Sequence, residues 1–386
     1  MSDNNRQQTI VDEARCFADD YLRPRAGNFD REERLPKEII DEMARRKYLL
    51  PSLPEAFGGL GLNPVFYGLF TEEIGKACCS TRGLITVQCS LIGESLLKWG
   101  SKEQKLNWLS AISAGEKIGA FAITEPDVGT DARGVQTIYQ KKGNEYLING
   151  RKKWISFAEI ADFFVVIAAF GSEISAFMVE RDRAGITILP QKGLLANRAS
   201  HIAEIEFQNV RIPVKNIIAR PGSGFSFVAG TALDHGRYSI AWAGVAIAQE
   251  ALDCMARYAL RRNQFGRKIA EFQLVQRMIG RAVANTHAAR ALCLKVGEMR
   301  IRNEKDSAAE TSIAKYFTSK VAMEVSTDAV QVHGGNGCGN SYPVERLFRE
   351  SKVLEIIEGT SQIQQQIIAK YGLRKYGKPL KSNKNC

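Results

Sequence analysis

Apolar residues recur at three- and four-residue spacing along roughly the first 115 positions. That spacing predicts helices at Gln8 to Tyr21, Pro36 to Arg46, Pro64 to Cys79, Leu84 to Trp99 and Lys102 to Ala114, with Gly- and Pro-rich stretches such as SLPEAFGGLGLNP between them. From about 118 to 222 the period shortens. ADFFVVIAAF predicts a buried strand, and EIEFQNVRIP alternates Ile205 and Phe207 against Glu204, Glu206 and Gln208. In EYLINGRKKWIS, strand-like residues flank Asn149-Gly150, which predicts a two-residue hairpin turn because both positions tolerate positive φ. After Gly222 the helical period returns. Val245, Ala248, Leu252, Met255 and Ala259 form one stripe, and Val275, Ile279, Ala282, Ala289, Cys293 and Val296 another. Helices, then strands, then helices predict an α+β fold with an N-terminal α-helical domain over residues 1–117, a β domain over 118–223, a helical bundle over 224–371 and a basic tail over 372–386. No GxGxxG follows a strand and opens a helix, which disfavours a Rossmann nucleotide site.

A chain of 386 residues, 45% of them hydrophobic, can bury a large core. MSDNNRQQ lacks the layout of a signal peptide and the apolar run Phe163 to Phe170 is too short to span a bilayer, so the expected location is cytoplasmic. Eight cysteines without CxxC pairs predict reduced, mostly buried thiols, and four scattered histidines suggest no metal site. The formal charge of +11 is partly local: Lys370, Arg374, Lys375, Lys378, Lys381 and Lys384 crowd the last seventeen residues, which predicts a mobile basic tail or a solvated basic face. RRNQFGRK (261–268) places four cations around Phe265-Gly266 and predicts a contact to a polyphosphate or another anion.

Three stretches carry candidate chemistry. FAITEPDVGTDARGVQT (121–137) runs from a strand ending at Thr124 into a loop that would offer N–H groups and hydroxyls to a ligand, or is a surface turn. Trp154 and Ser156, two residues apart, would share one side of a strand, with Trp154 taken singly reading as core. VQVHGGNGCGNSYPVERLFRESKVLEIIEGTSQIQ (330–364) predicts a helix broken at Gly334-Gly335, then a short helix, then Glu358 among Ile356, Ile357 and Gly359. That carboxylate is either a solvated helix-end residue or an acid kept away from water. His333 reads as a hydrogen-bonding structural residue.

Taken together, the TEPxxG(S/T)D loop, the YxINGxKxWIS hairpin, the RxxFG motif, the QxxGGNG turn and EGTSQIQ, in that order over nearly the whole chain, resemble the acyl-CoA dehydrogenase family. The resemblance implies an N-terminal helical domain, a middle β-barrel, a C-terminal four-helix bundle and non-covalent FAD. It implies that Phe121, Ile123, Thr124, Gly129, Thr130, Trp154 and Ser156 line the flavin ring and pyrophosphate, and that Thr360 and Gln362 close the site. Arg262, Phe265, Gln273, Gln331 and Gly335 would reach the adenosine diphosphate half of a flavin held by a neighbouring subunit, in a homotetramer or at least a dimer.

Glu358 matches the family's catalytic base, which removes the α proton of an acyl thioester while the flavin accepts the β hydrogen as hydride. Apolar neighbours would raise its pKa, and its own N–H would help hold the thioester carbonyl. Some branches place the base on an earlier helix, at the position that here is Gly236, where glycine cannot serve. Asp234, Arg237 and Thr130 fall where the family meets substrate, the first two at the pantetheine and the base. Taken from the residues alone, Asp234 reads as a helix cap and Arg237 as a surface charge. Ile357 stands where many β-oxidation members carry an aromatic residue, which resembles branches of dedicated pathways acting on carrier-protein-bound acyl groups. The implied function is an FAD-dependent dehydrogenase of acyl-CoA or acyl-carrier-protein thioesters, passing electrons to electron-transfer flavoprotein or another acceptor, with oxygen as the alternative. A flavin-bearing nucleic-acid-binding protein and a scaffold without catalysis are the rival readings. The first is disfavoured because the chain stops soon after EGTSQIQ, the second because Glu358, Thr124 and Trp154 are present.

Overall fold

A computed structural model describes residues 3–377. The N-terminal third is helical: α1 (Asp3–Phe17), α2 (Ala26–Glu32), α3 (Lys37–Arg45), α4 (Pro64–Ala77), α5 (Cys79–Ile85), α6 (Glu94–Trp99), α7 (Lys102–Gln104) and α8 (Ser110–Ser113). Wider π-type turns continue α1 through Ala18–Leu22 and join α5 to α6 through Thr86–Gly93 and α7 to α8 through Lys105–Leu109. The expected helices at 84–99 and 102–114 are therefore real but not uniform. Local chemistry sets their starts. Asn63 accepts from the N–H groups of Val65 (3.0 Å) and Phe66 (3.2 Å) ahead of Pro64, and Ser101 and Gln104 form a reciprocal capping box. Helix α2 was not expected.

The next hundred residues form a seven-stranded curled sheet: β1 (Gly119–Ala122), β2 (Ile138–Lys142), β3 (Glu145–Ile155), β4 (Phe163–Phe170), β5 (Glu173–Glu180), β6 (Ile186–Pro190) and β7 (Ala203–Pro213), ordered β1-β4-β2-β3-β7-β6 with β5 against β4. The unbroken apolar run of β4 follows from burial on both faces. Phe164, Val166 and Ala168 fill the sheet's own core, while Phe163, Val165 and Ile167 pack against the helices.

The hairpin expected at Asn149-Gly150 lies elsewhere. Strand β3 passes straight through that dipeptide, and the two-residue turn is Gly143-Asn144, with Lys142 opposite Glu145. Gly150 instead marks a register shift against β7, where a Cβ would come within 2.6 Å of Thr137. Asn149 uses its side chain to accept from the Asn209 N–H at 2.7 Å. A second shift between Lys152 and Ile155 accompanies a left-handed Trp154 (φ 61°), so Trp154 and Ser156 do not share a face by simple alternation.

The remainder is dominated by three long helices, α9 (Gly230–Ala259), α10 (Gln273–Ile301) and α11 (Ser307–His333), followed by α12 (Val344–Leu354) and α13 (Ser361–Tyr376). Between α9 and α10 lies a minimal hairpin, β8 (Asn263–Gln264) and β9 (Arg267–Lys268), with Phe265 almost fully exposed at its tip. Val245, Ala248, Leu252, Met255 and Ala259 are all buried, as their stripe predicts. Helices α9 and α11 pack closely enough that a Cβ on Gly244 would meet Thr318 at 2.7 Å. His333 is buried, with Nδ1 2.7 Å from the Ala329 carbonyl and its ring stacked on Tyr258, in keeping with a structural role. Five of the seven described cysteines are buried. Helix α13 carries Lys370, Arg374 and Lys375, so it reaches into the stretch expected as a tail, and Arg374 pairs with Asp306 at 2.7 Å. Lys378, Lys381 and Lys384 lie outside the described residues. Among the described residues no helix is long and apolar enough to cross a membrane.

One buried ion pair fixes the loop that follows β1. Lys152, fully buried in β3, donates to Glu125 at 2.7 Å and to the Ile123 carbonyl at 3.0 Å. The same carboxylate accepts from the N–H groups of Gln136 (2.7 Å) and Thr137 (2.8 Å). Burial pushes Lys152 down to about 8 against the pull of Glu125. Burial alone would raise Glu125, but Lys152 and the Thr137 bonds outweigh it and hold the carboxyl below its ordinary value. Lys152→Met is expected to cost about 3–5 kcal/mol in urea unfolding by stranding the carboxylate, and Lys152→Met with Glu125→Gln clearly less.

Candidate active site

Residues 355–360 turn the chain between α12 and α13. Glu358 (φ 53°) and Gly359 (φ 94°) are both left-handed, an arrangement a glutamate adopts only when its surroundings hold it there. Donors from three helices do so. Arg237 on α9 donates Nε–H to the Glu358 carbonyl (3.2 Å), Gln364 on α13 donates to the carbonyls of Glu358 (3.1 Å) and Gly359 (3.2 Å), and Lys315 on α11 donates to the Gly359 carbonyl (2.7 Å). Thr360 caps α13 through the Ile363 N–H at 3.4 Å.

The turn directs the carboxylate inward. Oε2 of Glu358 is sealed from solvent and has no hydrogen-bond partner among the described residues. It lies against Gly236, where a Cβ would sit 2.5 Å from it and 2.8 Å from Leu91. Burial pushes this carboxyl up to about 7, with Arg237, Lys315 and Arg82 opposing the rise. Lys315, fully buried, is pushed down to about 8 by the same loss of solvent, opposed by Glu358. The Glu358 N–H makes no hydrogen bond among the described residues.

Leu91 belongs to the π turn of residues 86–93, which also reaches the sheet: Gln88 exchanges two hydrogen bonds with Gly119 at 2.8 and 2.9 Å. From Gly119 the chain runs through Phe121, buried in β1, to the half-buried Ile123 and Thr124 and the exposed Gly129 and Thr130. The Thr124 carbonyl accepts from the Lys153 N–H at 2.9 Å, which brings Trp154 alongside. Trp154 is 50% exposed, so the reading of it as core fails. Its bulged backbone turns the indole out of the sheet. Ser156 is half-buried beside it.

Asp234 and Arg237 sit within α9, not ahead of it or on open surface. Asp234 accepts from Arg300 at 2.8 Å. Burial would raise its pKa, but the guanidinium wins and holds it below the carboxylate norm. Thr360 stands at the Glu358 turn, while Gln362 is exposed on the first turn of α13.

Arg262, Phe265, Gln273, Gln331 and Gly335 form a separate, exposed group around the β8–β9 hairpin and the end of α11. Arg262 lines a cavity of about 390 Å³ with Arg257, Tyr258, Arg261, His333 and Asn336. Tyr258 and Gly236 are 22 residues apart on α9, which sets the two groups about 33 Å apart along its axis.

Sequence reasoning missed Lys315, Gln364, Leu91, Arg82 and the Glu125–Lys152 pair. A lysine flanked by apolar residues in the TSIAKYF stretch of α11 is the one trace of Lys315 in the sequence. Gln364 closes EGTSQIQ three residues after the helix start and turns inward, whereas Gln362 turns out.

The first group suits a flavin. An exposed indole face, a loop with open space at Gly129 and an unpartnered carboxylate near the same π turn supply a flat wall, a phosphate-accessible backbone and a proton acceptor. The chain matches the family models "Acyl-CoA dehydrogenase, N-terminal domain" over residues 4–116, "middle domain" over 120–210 and "C-terminal domain" over 222–373. It is 37% identical over 374 residues to the probable acyl-CoA dehydrogenase YngJ of Bacillus subtilis (strain 168), covering 95% of this chain and 98% of that one. Butyryl-CoA dehydrogenase from Megasphaera elsdenii superposes with a TM-score of 0.92 at 31% identity, covering 97% and 99% of the two chains. The prolyl acyl carrier protein oxidase AnaB superposes with a TM-score of 0.89 at 26% identity, covering 95% and 98%. The chain belongs to the acyl-CoA dehydrogenase family, as an FAD-dependent oxidoreductase acting on CH–CH groups.

Proposed function

We propose that the protein oxidises the α,β bond of an acyl thioester with Glu358 as the base, and the observation that carries this reading is the sealed, unpartnered Oε2 of Glu358 beside Gly236. FAD, when bound, supplies the acceptor for the β hydrogen as hydride. The chain's own residues do the rest. Glu358 takes the α proton onto an oxygen that no other group occupies. A carboxyl near 7 is basic enough for an acidified thioester α proton and still ionised in a useful fraction at neutral pH. Arg237, Gln364 and Lys315 grip carbonyl oxygens, not the carboxylate, so they fix the turn while leaving the base free. The idle Glu358 N–H is placed to donate to the thioester carbonyl as it becomes enolate-like.

In this reading Phe121, Ile123, Thr124, Gly129, Thr130, Trp154 and Ser156 hold the flavin ring and pyrophosphate, and Thr360 and Gln362 close the site. Asp234, Arg237 and Thr130 meet the substrate. The thioester is carried by CoA or by an acyl carrier protein, whose phosphopantetheine arms are alike. The net charge of +11 favours either anionic carrier. Electrons leave to electron-transfer flavoprotein. Oxygen is the second reading, favoured by the likeness to an oxidase. The distance between the two groups on α9 supports a homodimer or homotetramer in which Arg262, Phe265, Gln273, Gln331 and Gly335 serve the flavin of a neighbouring copy. An apolar groove between α10, α11 and α13, lined by Leu292, Ile313, Phe317 and Ile368, offers a surface for that copy.

Mixing the holoprotein anaerobically with acyl-CoA and acyl-carrier-protein thioesters is expected to bleach the flavin with at least one. Glu358→Gln should keep the flavin and slow bleaching by about a hundred- to ten-thousand-fold; bleaching at the parent rate would place the base elsewhere. Because the ionised form is the active one, the bleaching rate on free protein should rise with pH, half-maximal near 7. Lys315→Met removes a cation that favours that ionised form, so the midpoint should move to higher pH, a displacement that a purely structural role would not produce.

A further inference from the structure

Away from the Glu358 turn, the N-terminus of α12 opens into a cavity of about 390 Å³ bounded by α2, the end of α4, Glu250 of α9 and residues 340–346. Its size falls in the range of small-molecule sites. It shares Tyr342 and Pro343 with the cavity around Arg262 but contains none of the residues expected to serve a neighbouring flavin. The N–H groups of Val344, Glu345 and Arg346 make no hydrogen bond among the described residues, so the first turn of an 11-residue helix presents unused donors there.

The wall of the cavity also carries a buried cation with nothing to bond. Arg346 is 7% exposed, yet among the described residues its guanidinium makes no hydrogen bond and has no carboxylate within ion-pair distance. Glu350, one turn further along α12, and Asp30 are near enough to attract it but do not bond it. Glu350 is itself sealed, with an unpartnered Oε2 and a carboxyl that burial pushes up to about 7 against the pull of Arg346, so it supplies only part of the missing charge. The acids that line the cavity are already engaged. Arg349 holds Asp30 at 2.7 Å and Glu345 at 2.8 Å, and Arg23 pairs with Glu250. Among the other cations, Lys76 pairs with Glu73 at 2.6 Å, whereas Arg31 bonds only the side chain of Asn28. Arg346 and Arg31 are thus left without ion pairs, and a buried guanidinium in that condition is unfavourable unless something else brings a countercharge.

We propose that the N-terminus of α12, Arg346 and Arg31 form a subsite for a phosphate group, either free or borne by a small polar metabolite. The site stands apart from the proposed thioester chemistry and does not depend on it. Phosphate suits it better than a carboxylate for two reasons. Its charge of about −1.5 to −2 at neutral pH matches two unpaired cations. Its three outer oxygens can accept from helix N–H groups and from a forked guanidinium at the same time. Asn28, Asn340 and Ser341 offer polar groups to whatever the phosphate is attached to.

Calorimetric titration of the holoprotein, its flavin sites filled and the ionic strength held constant, tests this with inorganic phosphate, glycerol 3-phosphate, acetate and glycerol. At least one of the two phosphates should bind saturably, acetate about tenfold or more weakly, and glycerol not at all. Tighter binding of glycerol 3-phosphate than of inorganic phosphate assigns a monoester as the ligand; any other order assigns free phosphate. Arg346→Met should weaken binding by about tenfold or more, Arg31→Met by about three- to tenfold, and Arg346→Lys should retain part of the affinity. Should Arg346→Met fail to fold, Arg31→Met, at an exposed position, carries the test. No saturable heat with either phosphate up to about 10 mM overturns the proposal, as does acetate binding as tightly as phosphate, or a phosphate affinity that the substitutions leave unchanged.

Discussion

A glutamate held in a left-handed conformation is the constraint around which the rest of this molecule is arranged. Left to itself the backbone at Glu358 would relax, and with it the direction of the carboxylate. Three helices far apart in sequence send donors to two adjacent carbonyls instead, from Arg237, Lys315 and Gln364. Each bond is ordinary in strength, but together they specify one geometry, because a peptide plane gripped at both neighbouring oxygens has little freedom left. The inward aim then requires room, and Gly236 provides it by having no side chain. Glycine at that point and glutamate at 358 are therefore two halves of one arrangement.

Helix α9 ties the local constraint to the whole. It is buried along most of its length, presents Gly236 and Arg237 to Glu358 near one end and Tyr258 to the exposed arginine cluster near the other. Its close approach to α11, permitted by Gly244 against Thr318, sets where Lys315 emerges. The π turn of residues 86–93 performs the matching task on the other side, placing Leu91 at the carboxylate and Gln88 at the first residue of β1. Wider turns rotate side chains off the regular helical stripe, which lets one short segment address both Glu358 and the sheet.

How much of this could be read in the residues follows from which forces leave a periodic trace. The long stripes of α9 and the doubly buried β4 were legible because apolar burial repeats with the element's own period. The Asn149-Gly150 turn was misplaced because a glycine with positive φ serves equally at a bulge, and the true turn, Gly143-Asn144, offered a similar dipeptide six residues earlier. The expectation that Trp154 and Ser156 share one side of the strand failed for a related reason: the left-handed kink at Trp154 cancels the simple alternation behind it. Glu358 was legible through its neighbours and its motif. Lys315, Lys152 and Arg82 were not, since a buried charge interrupts the pattern around it exactly as a solvated one does, and its partners lie 44, 27 and 157 residues away.

In the proposed role of Glu358 as base, those buried cations explain how one carboxyl could be both sheltered and useful. Shelter alone would favour the protonated form until Glu358 ceased to be a base at neutral pH. A direct salt bridge would restore ionisation but occupy the oxygen that must receive a proton. The arrangement here separates charge from contact. Arg237 and Lys315 put positive charge near the carboxylate while spending their N–H groups on backbone carbonyls, so they favour the ionised form without blocking it. Arg82 adds its charge as well and hydrogen-bonds neither the turn nor the acid. Two of the three cations thus have a structural bond that accounts for their burial near the base. The third, Arg82, ties α5 to α9 through the carbonyl and hydroxyl of Ser239 while its charge still reaches the carboxylate.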